Sequence, residues 1–151
     1  WRAGPLRDVS LSLGLNAGSE PRAQPFRAWL AGLSLDFAAP GFDLLQLDLH
    51  AYRDESVPHT GVQVTPAWDA RFQVGAQTFR VRGFADWISG RASAGGKPQL
   101  LTQPQFLWQA GKALGCTDEL WLGVEYQYWR NKYGVAGVNE SLPQLMIMLA
   151  F

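Results

Sequence analysis

The sequence predicts an all-β fold, a transmembrane antiparallel up-and-down β-barrel with about eight strands in this chain. Three observations predict it. Apolar residues recur at every second position through most of the chain, and helical spacing is scarce. The connections between these stretches alternate between long and short. All three lysines, Lys97, Lys112 and Lys132, fall in connections, whereas the mid-strand charges are arginines and carboxylates.

The strands follow in order. Val9, Leu11, Leu13 and Leu15 alternate with Ser10, Ser12, Gly14 and Asn16. Trp29, Ala31, Leu33, Leu35 and Phe37 alternate with Gly32, Ser34 and Asp36. Leu45, Leu47, Leu49 and Ala51 alternate with Gln46, Asp48, His50 and Tyr52. Val62, Val64, Pro66, Trp68, Ala70 and Phe72 form the fourth apolar row, against Gln63, Thr65, Asp69, Arg71 and Gln73. Phe79, Val81, Gly83, Ala85 and Trp87 form the fifth, against Thr78, Arg80, Arg82 and Asp86. Leu100 to Trp108, Leu120 to Tyr128 and Leu145 to Phe151 supply the last three. Each is close to the roughly 9–11 residues of a tilted spanning strand. Pro66 and Pro104 each remove a ladder donor, so bulges are expected there.

Residues 17–25, 53–61, 89–99 and 131–141 are long connections, and Ala38–Gly41 and Gly75–Ala76 are short. Long loops at one end and tight turns at the other fit a bacterial outer-membrane meander, with the long loops outside the cell. Gly75-Ala76 predicts a type II′ hairpin that pairs Val74 with Gln77. That register sets Asp69 opposite Arg82, Arg71 opposite Arg80 and Trp68 over Gly83, with an ion pair expected between Asp69 and Arg82.

Composition bounds the rest. A chain of 151 residues suits one domain, 1–151, and its 47% apolar content excludes a disordered segment. Thirteen basic and thirteen acidic residues cancel, which gives no support to nucleic-acid binding. A single cysteine, Cys116, excludes an internal disulfide and a cysteine zinc site. No 18-residue apolar run is present for a spanning helix. The chain begins at Trp1 without a Met or a signal peptide and is read as a processed or trimmed product.

Lysine placement and the charge types put the polar face inside, since arginine and carboxylate pair well in confined space. The lumen or solute-lining candidates are Asp48, His50, Asp69, Arg71, Arg80, Arg82, Asp86, Gln103, Glu125 and Gln127. Leu47, Val81, Leu122 and Ile147 are expected on the lipid face, near mid-bilayer. Aromatics at strand ends suit interfacial girdles. Trp29, Trp68, Trp87, Trp108, Tyr128 and Phe151 are the membrane-facing candidates, and Tyr52, Trp129 and Tyr133 also stand at strand ends. The run from Arg80 to Asp86 reads equally as an anionic-solute site or a plug of paired charges. Asp48 is a plausible acid between the arginines.

The runs Leu100-Leu101-Thr102-Gln103-Pro104-Gln105, Gly123-Val124-Glu125-Tyr126-Gln127-Tyr128-Trp129-Arg130-Asn131-Lys132-Tyr133-Gly134 and Asn139-Glu140-Ser141-Leu142-Pro143-Gln144-Leu145 resemble the nucleoside-specific outer-membrane channel family (Tsx-like or OmpK-like porins). Pro40-Gly41-Phe42-Asp43, Thr65-Pro66-Ala67-Trp68 and Gly83-Phe84-Ala85-Asp86 resemble it further upstream. The resemblance implies a monomeric barrel of twelve strands with a narrow nucleoside channel. This chain supplies about eight of them by its periodicity, so it is read as a C-terminal portion or as a smaller closed barrel. Eight strands leave an interior just filled by side chains.

The terminal Phe151 resembles the assembly signal that outer-membrane proteins present to the barrel-insertion machinery. Asp48 and His50 share a face, but no nucleophile or third ligand stands at useful spacing, so a hydrogen-bonded pair is expected rather than catalysis or a metal site. Asn139-Glu140-Ser141 matches a glycosylation sequon by chance, and Cys116 reads as an incidental thiol. No nucleotide, hydrolase or zinc-protease motif is present, so no enzyme and no cofactor are expected. The sequence therefore points to passive uptake of nucleosides or similar small polar solutes, with lipids and the solute as partners. The rivals are a non-conducting outer-membrane barrel with a charged plug and a structural or adhesive role, and a soluble ligand-binding barrel.

Overall fold

The computed structural model describes residues 4–18, 26–55, 59–90, 96–116 and 119–149. The terminal Phe151, with its expected girdle and assembly roles, lies outside the described residues. The chain is all-β, one antiparallel sheet. Its strands are β1 (Leu6–Gly18), β2 (Phe26–Phe37), β3 (Phe42–Asp54), β4 (Thr60–Val74), β5 (Gln77–Ile88), β6 (Gln99–Thr102), β7 (Gln105–Trp108), β8 (Leu120–Arg130) and β9 (Glu140–Leu149). A short helix α1 (Ala110–Leu114) precedes β8, and a 3-10 turn (Lys132–Gly134) follows it.

β6 and β7 are two halves of one strand position. Both lie between β5 and β8, and Ala85 opposite Thr102 and Arg82 opposite Gln105 belong to one continuous register. The interruption is Gln103–Pro104, where proline lacks the donor a ladder needs. The Gln103 N–H still donates to the Phe84 carbonyl at 3.1 Å, and Pro104 accepts from Tyr126 N–H at 3.0 Å. The sheet thus has eight strand positions, each paired to its sequence neighbour. The bulge expected at Pro66 is absent. β4 runs through it, and the bridges to β5 pass from Val64–Trp87 to Ala67–Phe84 with no change of register. The irregularities fall at Leu6/Asp8 and Phe42/Leu44.

The turns follow their sequences. Pro40 and Gly41 form the centre of a type II turn, with Gly41 at φ 84° and the Phe42 N–H donating to Ala39 at 3.2 Å. Gly75 alone of its pair has positive φ, 60°, and Val74 faces Gln77 as a II′ hairpin requires. The strands exceed their sequence estimates: β1 and β3 reach 13 residues and β4 reaches 15.

The sheet curls tightly. A β-carbon on Gly32 would sit 1.9 Å from the Leu49 carbonyl oxygen, and one on Gly123 would sit 2.0 Å from that of Phe106. Only glycine lets the adjacent backbones cross so closely, which bends the sheet at β2 and β8. The curl carries Arg82 of β5 to Met148 of β9, its guanidinium 3.8 Å from the sulfur. Among the described residues no ladder joins β1 to β9, so both keep a free edge.

The two faces are inverted relative to a soluble sheet. The buried set includes Ser34, His50, Gln63, Asp69 and Gln99, while large apolar residues lie exposed. Exposure reaches 87% at Leu11 and 92% at Leu145 on the edge strands, against 41% at Leu33 and 48% at Val124 between them. The four residues expected outward, Leu47, Val81, Leu122 and Ile147, all lie on this apolar face, and Ile147 is 74% exposed. A small inner cluster of Ala28, Leu30 and Tyr52, joined by Ile88, packs at the long-connection end.

Candidate functional site

All ten lumen candidates fall on the polar, concave face, as period two dictates once the register is fixed. They do not form one cluster. They divide into a filled half at the short-turn end and a hollow half at the long-connection end.

The filled half is built on β4 and β5. Asp69 stands opposite Arg82, as the hairpin predicts. The expected Asp69–Arg82 ion pair is not formed, however. Arg80 takes the carboxylate through both a 2.7 Å bond from Nε and a second bond from its terminal nitrogen. A guanidinium is long enough to reach diagonally, and the bidentate geometry favours it. Arg71 stands opposite Arg80 but turns away to Asp43, 2.6 Å distant, where both side chains are about half exposed. Arg80 also lies over the Trp121 ring, 5.9 Å from its centroid. With Leu107 fully buried and Trp121 4% exposed, side chains occupy this end. Glu125 accepts a hydrogen bond from Gln105.

Asp48 and Asp86 do not join the arginines, contrary to expectation. Asp86 accepts from Thr65 Oγ1 at 2.6 Å and from Gln63 Nε2 at 3.2 Å. Asp48 accepts from Gln46 at 2.7 Å. The run from Arg80 to Asp86 therefore spans both halves. The hydrogen-bonded pair expected of Asp48 and His50 is also absent: His50 is 7% exposed, and neither ring nitrogen has a partner among the described residues. Gln103 donates to Gln127 at 2.6 Å, and Gln127 donates in turn to Glu140. Glu140 holds the Lys132 ammonium at 2.6 Å.

The hollow half contains a cavity of about 120 Å³. That is far more than the roughly 10–15 Å³ a single water needs. Asp86, Gln99, Asn16 and Leu101 line it, with Tyr52, Ile88, Trp129 and Tyr133. Tyr52 and Trp129 are thus inward residues, and the strand-end reading of them as girdle aromatics is corrected. Their neighbours Arg53 and Tyr128 take the outward places. The connection after β8 presents Tyr133. Asn131 and Tyr133 both adopt positive φ, 49° and 58°. Asn131 fixes the loop, donating from Nδ2 to Pro98 at 2.9 Å and accepting from Gly137 N–H at 3.1 Å.

On the outer face, Trp29, Trp87, Trp108 and Tyr128 stand near strand ends. Trp29 donates to Glu55 at 2.8 Å and Trp108 to Gln77 at 2.7 Å. Trp68 also faces outward but lies mid-strand, where its Cζ2 is 3.0 Å from the place of a β-carbon on Gly83. Phe72, Phe79 and Phe106 form an aromatic row beyond it, with Phe79 centroids 5.7 Å and 5.6 Å from the other two. That row, and the inner residues Trp121 and Met148, had no separate sequence signal; each is one more member of an alternating strand, whereas Asp43 has the parity of the outward Leu45 and Leu47 and sits at the register shift between Phe42 and Leu44.

Among the described residues no helix is long and apolar enough to cross a membrane, which has no bearing on strands. Cys116 is exposed. No family model, curated protein or solved structure matches the chain.

Proposed function

We propose that this chain is a monomeric transmembrane barrel of the bacterial outer membrane, or part of one, that passes small polar solutes passively. Nucleosides are the solute class implied by the resemblance to the Tsx-like channels. The supporting observation is the inverted amphipathy: Leu11, Leu13, Leu145 and Ile147 face outward while His50, Gln63 and Asp69 are enclosed. A monomeric soluble protein rarely exposes so large an apolar surface, and a soluble barrel hides its apolar face. In hydrocarbon, the free edges of β1 and β9 need partners, because unpaired backbone groups cost several kcal/mol each there. They pair with each other in an eight-stranded barrel, or with further strands in a wider one. In this reading the terminal strand engages the barrel-insertion machinery, and lipid covers the outer face.

A second reading, a non-conducting barrel with a structural or adhesive role, is favoured by the filling of the turn-end half by Arg80, Leu107 and Trp121. Planar-bilayer conductance, with and without added nucleoside, separates the two. The channel reading expects the 151 residues folded alone to be silent and a form widened by further strands to conduct. A silent widened form leaves the plugged barrel. A protein that is monomeric and stable without detergent would refute both.

A further inference from the structure

We propose that the cavity at the long-connection end is a recognition site for a small organic monocation, a protonated or quaternary amine. This rests on reading the polar face as an enclosed interior, and it is independent of conduction.

The cavity has a surplus of acceptors. Asp86 lines it, and its hydrogen-bond partners are the neutral groups of Thr65 and Gln63. Asp48 lies close enough for its charge to act on Asp86, and its own partner is the neutral amide of Gln46. Among the described residues neither acid forms an ion pair. Arg71 and Arg80 are engaged by Asp43 and Asp69 in the other half, and Arg82 turns to Met148. Among the described residues no lysine or arginine compensates these two carboxylates, His50 being the basic side chain close to Asp86, and charge in a confined interior is little screened by water.

His50 lies beside the cavity, next to the lining residue Tyr52 on the same face, and is not itself part of the lining. It lies between Asp48 and Tyr52 on the inner face of β3, opposite Gln63. It is more than nine-tenths buried, with both ring nitrogens unpartnered. The Gln63 Oε1, also buried, has no partner either.

The rim supplies ring faces. Trp129 and Tyr133 are in edge contact, centroids 5.0 Å apart. The molecule's own Lys132 ammonium already sits 4.8 Å from the Trp129 ring and 5.3 Å from that of Tyr133. Such rings attract ammonium groups through their quadrupoles. Among the described residues no group of three ligating side chains is placed for a metal ion, so the class is an organic cation.

The test is calorimetric titration of the protein folded in detergent micelles, with choline as the probe. Neohexyl alcohol, its uncharged isostere, and adenosine are the comparison ligands. Choline is expected to bind saturably and at least about tenfold more tightly than either, a difference of about 1.4 kcal/mol. Asp86→Asn should weaken choline by about tenfold or more. Trp129→Leu provides a second reading should that variant fail to fold, and circular dichroism verifies folding of both. No choline binding, equal binding of the uncharged isostere, or unchanged affinity in a folded Asp86→Asn protein would overturn the proposal. A conducting protein that prefers adenosine would keep the channel and remove the cation site.

Discussion

Asp69 faces Arg82 across the β4–β5 ladder, yet its carboxylate is gripped by Arg80, two residues along the same strand. The pair is largely enclosed, with side-chain exposures of 17% for Arg80 and 10% for Asp69. Removing one partner leaves the other charge buried and uncompensated.

Asp69→Asn or Arg80→Gln should therefore cost about 3–5 kcal/mol in denaturant unfolding from lipid vesicles. Asp43→Asn breaks the half-exposed pair with Arg71 and should cost at most about 1 kcal/mol. Equal losses at the two sites would refute the enclosed geometry.

Arginine at the outward positions Leu47, Val81 or Leu122 should cost about 2–4 kcal/mol near the bilayer midplane. Arginine at Gln46 or Gln127, on the inner face, should cost much less. Folding yields into lipid vesicles compare the two sets, and a more damaging inner set would mean the faces are inverted.

Paired cysteines at 69 and 82, in a Cys116→Ser background, should cross-link on mild oxidation. Cysteines at 69 and 81 should not, because adjacent strand residues project to opposite faces. The reverse pattern rejects the register.

Gly123→Ala forces a β-carbon against the Phe106 carbonyl and should destabilise by about 3 kcal/mol. Gly18→Ala meets nothing within 4 Å and should stay within about 0.5 kcal/mol. Thermal melts of both variants check the curl of the sheet at β8.

Much of this fold was legible because alternation states both the strand and its facing. The eight positions, the Gly75 hairpin and the Trp68–Gly83 pairing all follow from it. The site was less legible. Alternation places Arg80 and Arg82 on one face but is silent on which acid a long side chain chooses. Tyr52 and Trp129 stand at strand ends like Trp87 and Tyr128, but they share the parity of His50 and Gln127, and that parity, rather than their place at a strand end, turns them inward. The cavity needs Asn16, Asp86 and Trp129 together, three residues widely separated in the chain.

The up-and-down order has a kinetic consequence. Every ladder joins strand positions adjacent in sequence, so each hairpin can zip before the next is laid down. The register chosen by β4 on β3 is inherited by β5 and by every later strand. A single early slip would therefore turn the whole remaining sheet inside out, and fidelity rests on the first turns, at Pro40-Gly41 and Gly75-Ala76.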